Sequence, residues 1–260
     1  MNIGMLDSVP IGGIYGAVAC GLLAFGEIGF QVGARAQSHQ DKEAPASLGP
    51  MVGGLLGMLA FVLAFTFSMA SSQHDLRKKN VLEEANSIGT AYLRADLIDE
   101  PYRKEIKRLL REYVDVRLQA ASGSDLDAAL ERSNEILGLL WAQVSSAGRT
   151  SPGTNTSLMI QSVNNVIDMH EVRVTGAVRN RIPASVWLSL LAISGLTMLT
   201  MGAQVGLTGK RRLVAVIPLV LAFSALMTLV ADLNRPQSGM ITIGQQSMVN
   251  LQRSMDSAAQ

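Results

Sequence analysis

The sequence predicts an all-α membrane protein: four transmembrane helices in two hairpins, with a long extramembrane helical bundle between spans two and three. Three observations predict it. Four stretches are apolar over roughly 20 residues, which is what a helix rising about 1.5 Å per residue needs to cross a hydrocarbon core about 30 Å thick. Between the second and third stretch, charge is dense but balanced, and apolar residues recur at three and four positions, the period of amphipathic helices. The composition is divided in the same way: 48% hydrophobic residues and a mean hydropathy of +0.26 are too apolar for an ordinary water-soluble domain and too charged for spans alone.

The 22 Lys and Arg residues nearly balance 21 Asp and Glu, so no global field points to a nucleic-acid partner. Cys20 is the single cysteine, which rules out an intramolecular disulfide or a cysteine-based metal cluster within one subunit. Met1 to Pro10 carry no Lys or Arg, and the apolar stretch that follows is longer than a signal-peptide core, so the first segment is expected to be retained.

The spans run from about Val9 to Val32, Pro50 to Met69, Ala184 to Leu207 and Leu213 to Ala231, and Glu27 is the only formal charge inside them. The first pair is joined by a polar loop from Gly33 to Gly49 and the second by Thr208-Gly209-Lys210-Arg211-Arg212. No proline occurs from Met51 to Glu100 and no loop signal follows the second span, which predicts one long helix continuing out of the membrane. Its outer part carries the stripe Val81, Ala85, Ile88, Tyr92 and Ala95, and Asp99-Glu100-Pro101 suits a new helix start. The next helix carries Ile106, Leu109, Leu110, Tyr113 and Leu118. Ser124 and Asp127, at capping-box spacing, precede a third with Leu126, Leu130, Leu137 and Leu140. After the turn Gly148 to Gly153, Met159, Val163, Val166 and Val174 mark a fourth that runs to about Ile182-Pro183 and into the third span. Asp232 to Gly239 reads as a polar turn, and Met240 to Gln260 as a short strand or helix docked on the bundle. The resulting divisions are 1–72, first hairpin; 73–183, bundle; 184–232, second hairpin; 233–260, polar tail.

Arg35, Lys42 and Lys210 to Arg212 favour an inside placement of both hairpin loops, whereas Arg77, Lys78, Lys79, Arg179, Arg181 and Arg235 count for the bundle side, so basic residues leave the orientation open. Small residues four apart, Gly12 with Gly16, Gly53 with Gly57 and Gly202 with Gly206, mark tight helix packing within a subunit or between subunits. Phe61, Phe65 and Met69 stack along one face of the second span. Facing an oligomer axis they would form a hydrophobic constriction, and facing lipid or a neighbouring helix they would be ordinary packing. Glu27 either snorkels to the interface or serves a polar cavity. His74-Asp75 and Asp168-Met169-His170-Glu171 lack the spacing that puts two imidazoles on one helical face and read as structural surface residues, so no metal or cofactor is expected. No phosphate loop, nucleophile elbow or Cys/His pair occurs, which argues against an enzyme; Glu27, His74 and Asp232 are its loosest candidates.

The run Glu83-Glu84-Ala85-Asn86-Ser87-Ile88-Gly89-Thr90-Ala91-Tyr92-Leu93-Arg94-Ala95-Asp96-Leu97, with Pro101 and Tyr113 downstream and Arg235-Pro236-Gln237-Ser238-Gly239 after the fourth span, resembles the bestrophin-like domain family of bacterial membrane proteins. The resemblance covers nearly the whole chain. The family usually carries an acid just before the Arg-Pro step, where this sequence has Asn234. Through the bestrophins, which are pentameric anion channels, the resemblance implies a homo-oligomeric channel in the cell (inner) membrane for small anions. It puts Phe61, Phe65 and Met69 at the neck and the helical bundle in the cytosol. Glu83, Glu84 and Arg94 lie one to three turns apart and could pair within the bundle or between subunits, or form a solvated face. Asn86 and Thr90 could line an inner wall or serve interhelical hydrogen bonds. The alternative to a channel is a non-conducting, membrane-anchored sensing or protein-docking module.

Overall fold

The computed structural model describes residues 9–39, 48–123, 125–176, 181–208, 213–235 and 239–258. Lys42, Ser124, Arg179, Lys210 to Arg212 and Pro236 to Ser238, which carried expectations above, lie outside the described residues. Among those described, all regular structure is helical: α1 (Ile11–His39), α2 (Gly49–Arg94), α3 (Tyr102–Ala121), α4 (Leu126–Thr150), α5 (Thr154–Val174), α6 (Ala184–Gly206), α7 (Leu213–Asn234) and α8 (Gln246–Ser257), with one 3-10 turn at Ala95–Leu97. Four helices, α1, α2, α6 and α7, are long and apolar enough to cross a membrane.

The chain divides into two compact units, Met1–Gln73 with Arg181–Ile241 and His74–Asn180 with Thr242–Gln260. The boundary at Gln73 falls inside α2. This helix has 46 residues, about 70 Å at 1.5 Å per residue and more than twice a hydrocarbon core, so bilayer length alone does not account for it.

In the first unit the closest backbone approach joins α1 to α6. A Cβ added at Gly29 would lie 1.9 Å from the Leu199 carbonyl oxygen, one at Gly33 2.2 Å from that of Ala203, and one at Gly202 2.0 Å from that of Gly26. Only hydrogen fits in these places. Contacts advance together along both helices, 29 with 199 and 33 with 203, so α1 and α6 run parallel. Of the three small-residue pairs read from the sequence, Gly202 and Gly206 pack this way. At Gly12, Gly16, Gly53 and Gly57, by contrast, no atom of the described residues lies within 4 Å of an added Cβ. Apolar side chains complete the unit: Ala19 and Leu22 of α1 meet Met198 and Val220, and Leu59, Leu63 and Ala70 of α2 meet Leu190, Met227 and Val230. The hydroxyls of Thr66, Ser194 and Thr197 bond carbonyls one turn back in their own helices, at 2.6 to 2.7 Å, so these buried polar groups need no water.

In the second unit the outer part of α2 packs with α3, α4, α5 and α8 around Ile88, Ile106, Leu109, Leu110, Ile136, Leu140, Met159 and Val163, each fully buried. Burying each of the leucines and isoleucines stabilises the unit by roughly 1.5–3 kcal/mol. Met240 to Gln260 contributes a helix, α8, which puts Met248 and Met255 into this core. Two boundaries differ from expectation. The cap of α4 is Asp125, whose carboxylate accepts from the Asp127 and Ala128 amides at 3.1 and 3.3 Å. And the α-helix of α5 ends at Val174 and passes into a π turn at Thr175–Gly176, where the Gly176 carbonyl accepts from Arg77 Nε at 3.0 Å; Ile182, where the helix was expected to end, is not helical.

Candidate functional site

On α2, Leu59, Leu63 and Ala70 face the core of the first unit, and the opposite surface carries Phe61, 73% exposed, and Phe65, 60% exposed. These two aromatics sit one turn apart beside a shallow recess of about 240 Å³ that also includes Val62, Thr66, Ser185, Val186 and Ser189. Met69 is half-buried and packs against the core. Glu27 is half-exposed on α1 and accepts from Gln31 Nε2 at 3.3 Å.

Further along the same helix, Glu83 and Glu84 are about 100° apart around the axis, and this separates them completely. Glu83 faces outward, 3.4 Å from Lys79 Nζ. It joins Asn86, Ser87, Asn165, Asp168 and Met169 along an open groove of about 370 Å³ between α2 and α5. Asn86 and Thr90 share an adjoining recess of about 160 Å³ with Ser87, Ser162 and Asn165. Arg94 closes this seam, donating to Ser162 Oγ at 2.8 Å and to the Leu158 carbonyl at 3.1 Å.

Glu84 is fully buried among ions. Its Oε1 accepts from the Tyr113 hydroxyl at 2.8 Å and lies 3.2 Å from Arg117 Nε, near enough for charge pairing though off line for a hydrogen bond. Its Oε2 accepts from Arg173, which also donates to Gln245 Oε1 at 2.8 Å, just ahead of α8. On its other side the Tyr113 hydroxyl meets His170 Nδ1 at 2.9 Å, and the two rings stack edge to face. Burial by itself would raise the Glu84 pKa, but the Arg117 and Arg173 charges outweigh it and hold the carboxyl below its ordinary value. Burial, then the Glu84 charge, pushes Tyr113 well up. Burial, then Arg117, pushes His170 down. One carboxylate thus pairs with two guanidiniums, which leaves the cluster one positive charge in excess, and the two aromatic groups stay uncharged at neutral pH.

After α7 the loop is organised by acids and amides. Asp232 accepts from the Met240 and Ile241 amides at 3.0 and 2.9 Å. Gly239 has φ +142°, and a Cβ there would lie 2.1 Å from Asp232 Oδ1, so glycine alone fits. Asn234 accepts from the Ile182 amide at 2.9 Å through its side-chain oxygen. Arg235 is buried and donates to the Val9 carbonyl at 2.8 Å.

The structure therefore brings Glu83, Asn86 and Thr90 to one groove, places Glu84 in the core behind them, and puts Glu27, Arg235, Phe61 and Phe65 in the other unit. His170, read from the sequence as a surface residue, is 2% exposed, because it sits on the buried stripe of α5. Sequence reasoning also missed Arg117 and Arg173 as partners of Glu84, Gln245 as the acceptor for Arg173, and Gly29 and Gly33 as the α1 half of the glycine seam. A signal was present for most of these: Arg117 continues the stripe Ile106, Leu110, Tyr113, and His170 and Arg173 continue Met159, Val163, Val166, each at helical spacing.

The relationships of the chain agree with its helical architecture. No curated protein matches the sequence. Among solved structures, a mutant of a bacterial Bestrophin homolog from Klebsiella pneumoniae superposes with a TM-score of 0.69 at 15% identity, covering 94% of this chain and all of that one. A second such mutant gives 0.67 at 17% identity over 92% and 98% of the two chains. At these identities the likeness carries the fold alone. A family model for the Bestrophin-like domain, however, matches residues 20–248, from within α1 into α8. By that match the chain belongs to the bestrophin-like domain family.

Proposed function

We propose that the protein is a subunit of a homo-oligomeric membrane channel, a pentamer by analogy with bestrophins, which passes small anions through a pore lined by α2. The carrying observation is that Phe61 and Phe65 stand uncovered on the face of α2 turned away from its own unit's core. Two large aromatics repeated around an axis form a ring that excludes water and so gates by dewetting. At 3.6 residues per turn, Phe61, Phe65, Ser68, Ser72, Lys79, Glu83, Asn86 and Thr90 fall on one line of α2, so an apolar neck passes into a polar wall. Met69 stands at the edge of the neck. Glu27 and Arg235 serve the frame rather than the pore. The parallel run of α1 and α6 supports a charged bundle that starts and finishes on one side of the membrane, which we assign to the cytosolic side of the inner membrane.

Ion flux into liposomes containing the purified protein tests the proposal, comparing the native chain with Phe61→Ala and Phe65→Ala. Flux that rises or changes selectivity in the variants is the expected result. A well-folded preparation that conducts nothing under varied pH, calcium and voltage would replace the channel with the non-conducting sensing or docking module.

A further inference from the structure

The hydrogen bonds around Tyr113 determine where the His170 proton sits. The tyrosine hydroxyl has one proton and two neighbours, Glu84 Oε1 at 2.8 Å and His170 Nδ1 at 2.9 Å. Glu84, ionised between Arg117 and Arg173, has no proton to give, so Tyr113 donates to it and must accept from His170. The imidazole is therefore neutral with its proton on Nδ1, and a second proton can enter only at Nε2. That would create a third cation at a site 2% exposed. The charges around it are Arg117 from α3, Arg173 and Glu171 from its own helix, and Glu84 from α2, which the two arginines already share.

We propose that the chain His170–Tyr113–Glu84 is an acid-released latch: a second proton on His170 loosens α5 from α2 and α3 and weakens the hold of Arg173 on Gln245, freeing the start of α8. Burial and Arg117 together hold the imidazole below its ordinary value of 6.5. The sign follows. A group whose folded pKa is depressed contributes stability that is complete above the unfolded value, here about 6.5, and is lost as pH falls towards the folded value. Glu84, itself held below 4.5, stays ionised in that window, so the latch responds to the imidazole and not to the carboxylate. The proposal does not rest on conduction, and its test reads structure, so it stands or falls separately from the channel.

The test is amide hydrogen exchange on the full chain in detergent at about pH 7.5 and about pH 5.5, corrected for the intrinsic pH dependence of exchange. The native chain is expected to lose protection on the order of tenfold over α5 and α8, and His170→Asn, whose amide donates from the place of Nδ1 but does not titrate, less than about twofold. Unchanged protection in the native chain, or an equal loss in the variant, would overturn the latch. Should the variant fail to fold, carbon-13 labelling of the three histidine rings of the native chain keeps the question open to measurement. One resonance titrating well below the other two, with α5 exchange rising alongside it, supports the latch. All three titrating together, or His170 charging with no change in exchange, overturns it.

Discussion

The two units solve the same packing problem with opposite materials. Where α1 meets α6, side chains are removed: Gly29, Gly33, Gly202 and Gly206 let backbones touch, and buried hydroxyls bond within their own helices. Where α2 meets α3 and α5, side chains are added, and a carboxylate is buried with two guanidiniums, a phenol and an imidazole. The difference follows from the surroundings each surface suits. Lipid is as apolar as leucine, so helices within it gain chiefly from close contact. A unit with exposed ion pairs such as Arg108 with Glu105 and Arg132 with Glu135 gains from excluding water, and can hold ions in its core when each has a partner.

The hardest way to break that contrast is Glu84→Ala. It leaves Arg117 and Arg173 buried without a counter-ion, and chemical denaturation followed by far-UV circular dichroism should show a loss of about 3–5 kcal/mol from the second unit. Gly202→Ala should cost less, about 1–3 kcal/mol, since its methyl group must push α1 aside. In a thermal melt in detergent it should lower the midpoint, whereas Gly53→Ala, with open space around it, should not. Acid gives a graded version of the first test. Because the Glu84 pKa is lowered from 4.5, its contribution is complete above about 4.5 and vanishes as pH falls through the folded value. The native chain should therefore show an acid transition that Glu84→Gln lacks, followed by the same dichroism signal. The smallest effect sharpens the comparison most. Glu83, one residue away, pairs with Lys79 in solvent, and Glu83→Ala should change stability by no more than about 1 kcal/mol in the same assay.

Much of the fold was legible because the two kinds of helix differ in hydropathy period. The four spans, the uninterrupted α2 and the stripes of α3 to α5 follow from the spacing of residues such as Ile106, Leu110 and Met159. Partner identity was less legible. The Gly29-x-x-x-Gly33 pair was as visible as Gly202-x-x-x-Gly206, but spacing states that a helix has a close face without saying which helix will meet it. In the candidate site, Glu84 could be named but not told apart from Glu83, because the choice between core and solvent depends on which side of α2 is covered by α3 and α5. His170 was misjudged as a surface residue, although its register with Val163 and Val166 already placed it inward.

The division of the chain between the units also sets an order on its biosynthesis. Each unit is assembled from stretches separated by most of the other, 1–73 waiting for 181–241 and 74–180 waiting for 242–260. A ribosome that has just finished α5 has made α1 with its glycine face bare, and a bundle still lacking the methionines of α8. For that interval the nascent protein carries an unsealed helix face in its first unit and an unsealed core in its second. This is when an insertase or chaperone would have most to hold, and when a late substitution in α6 or α8 would do its harm to residues made long before.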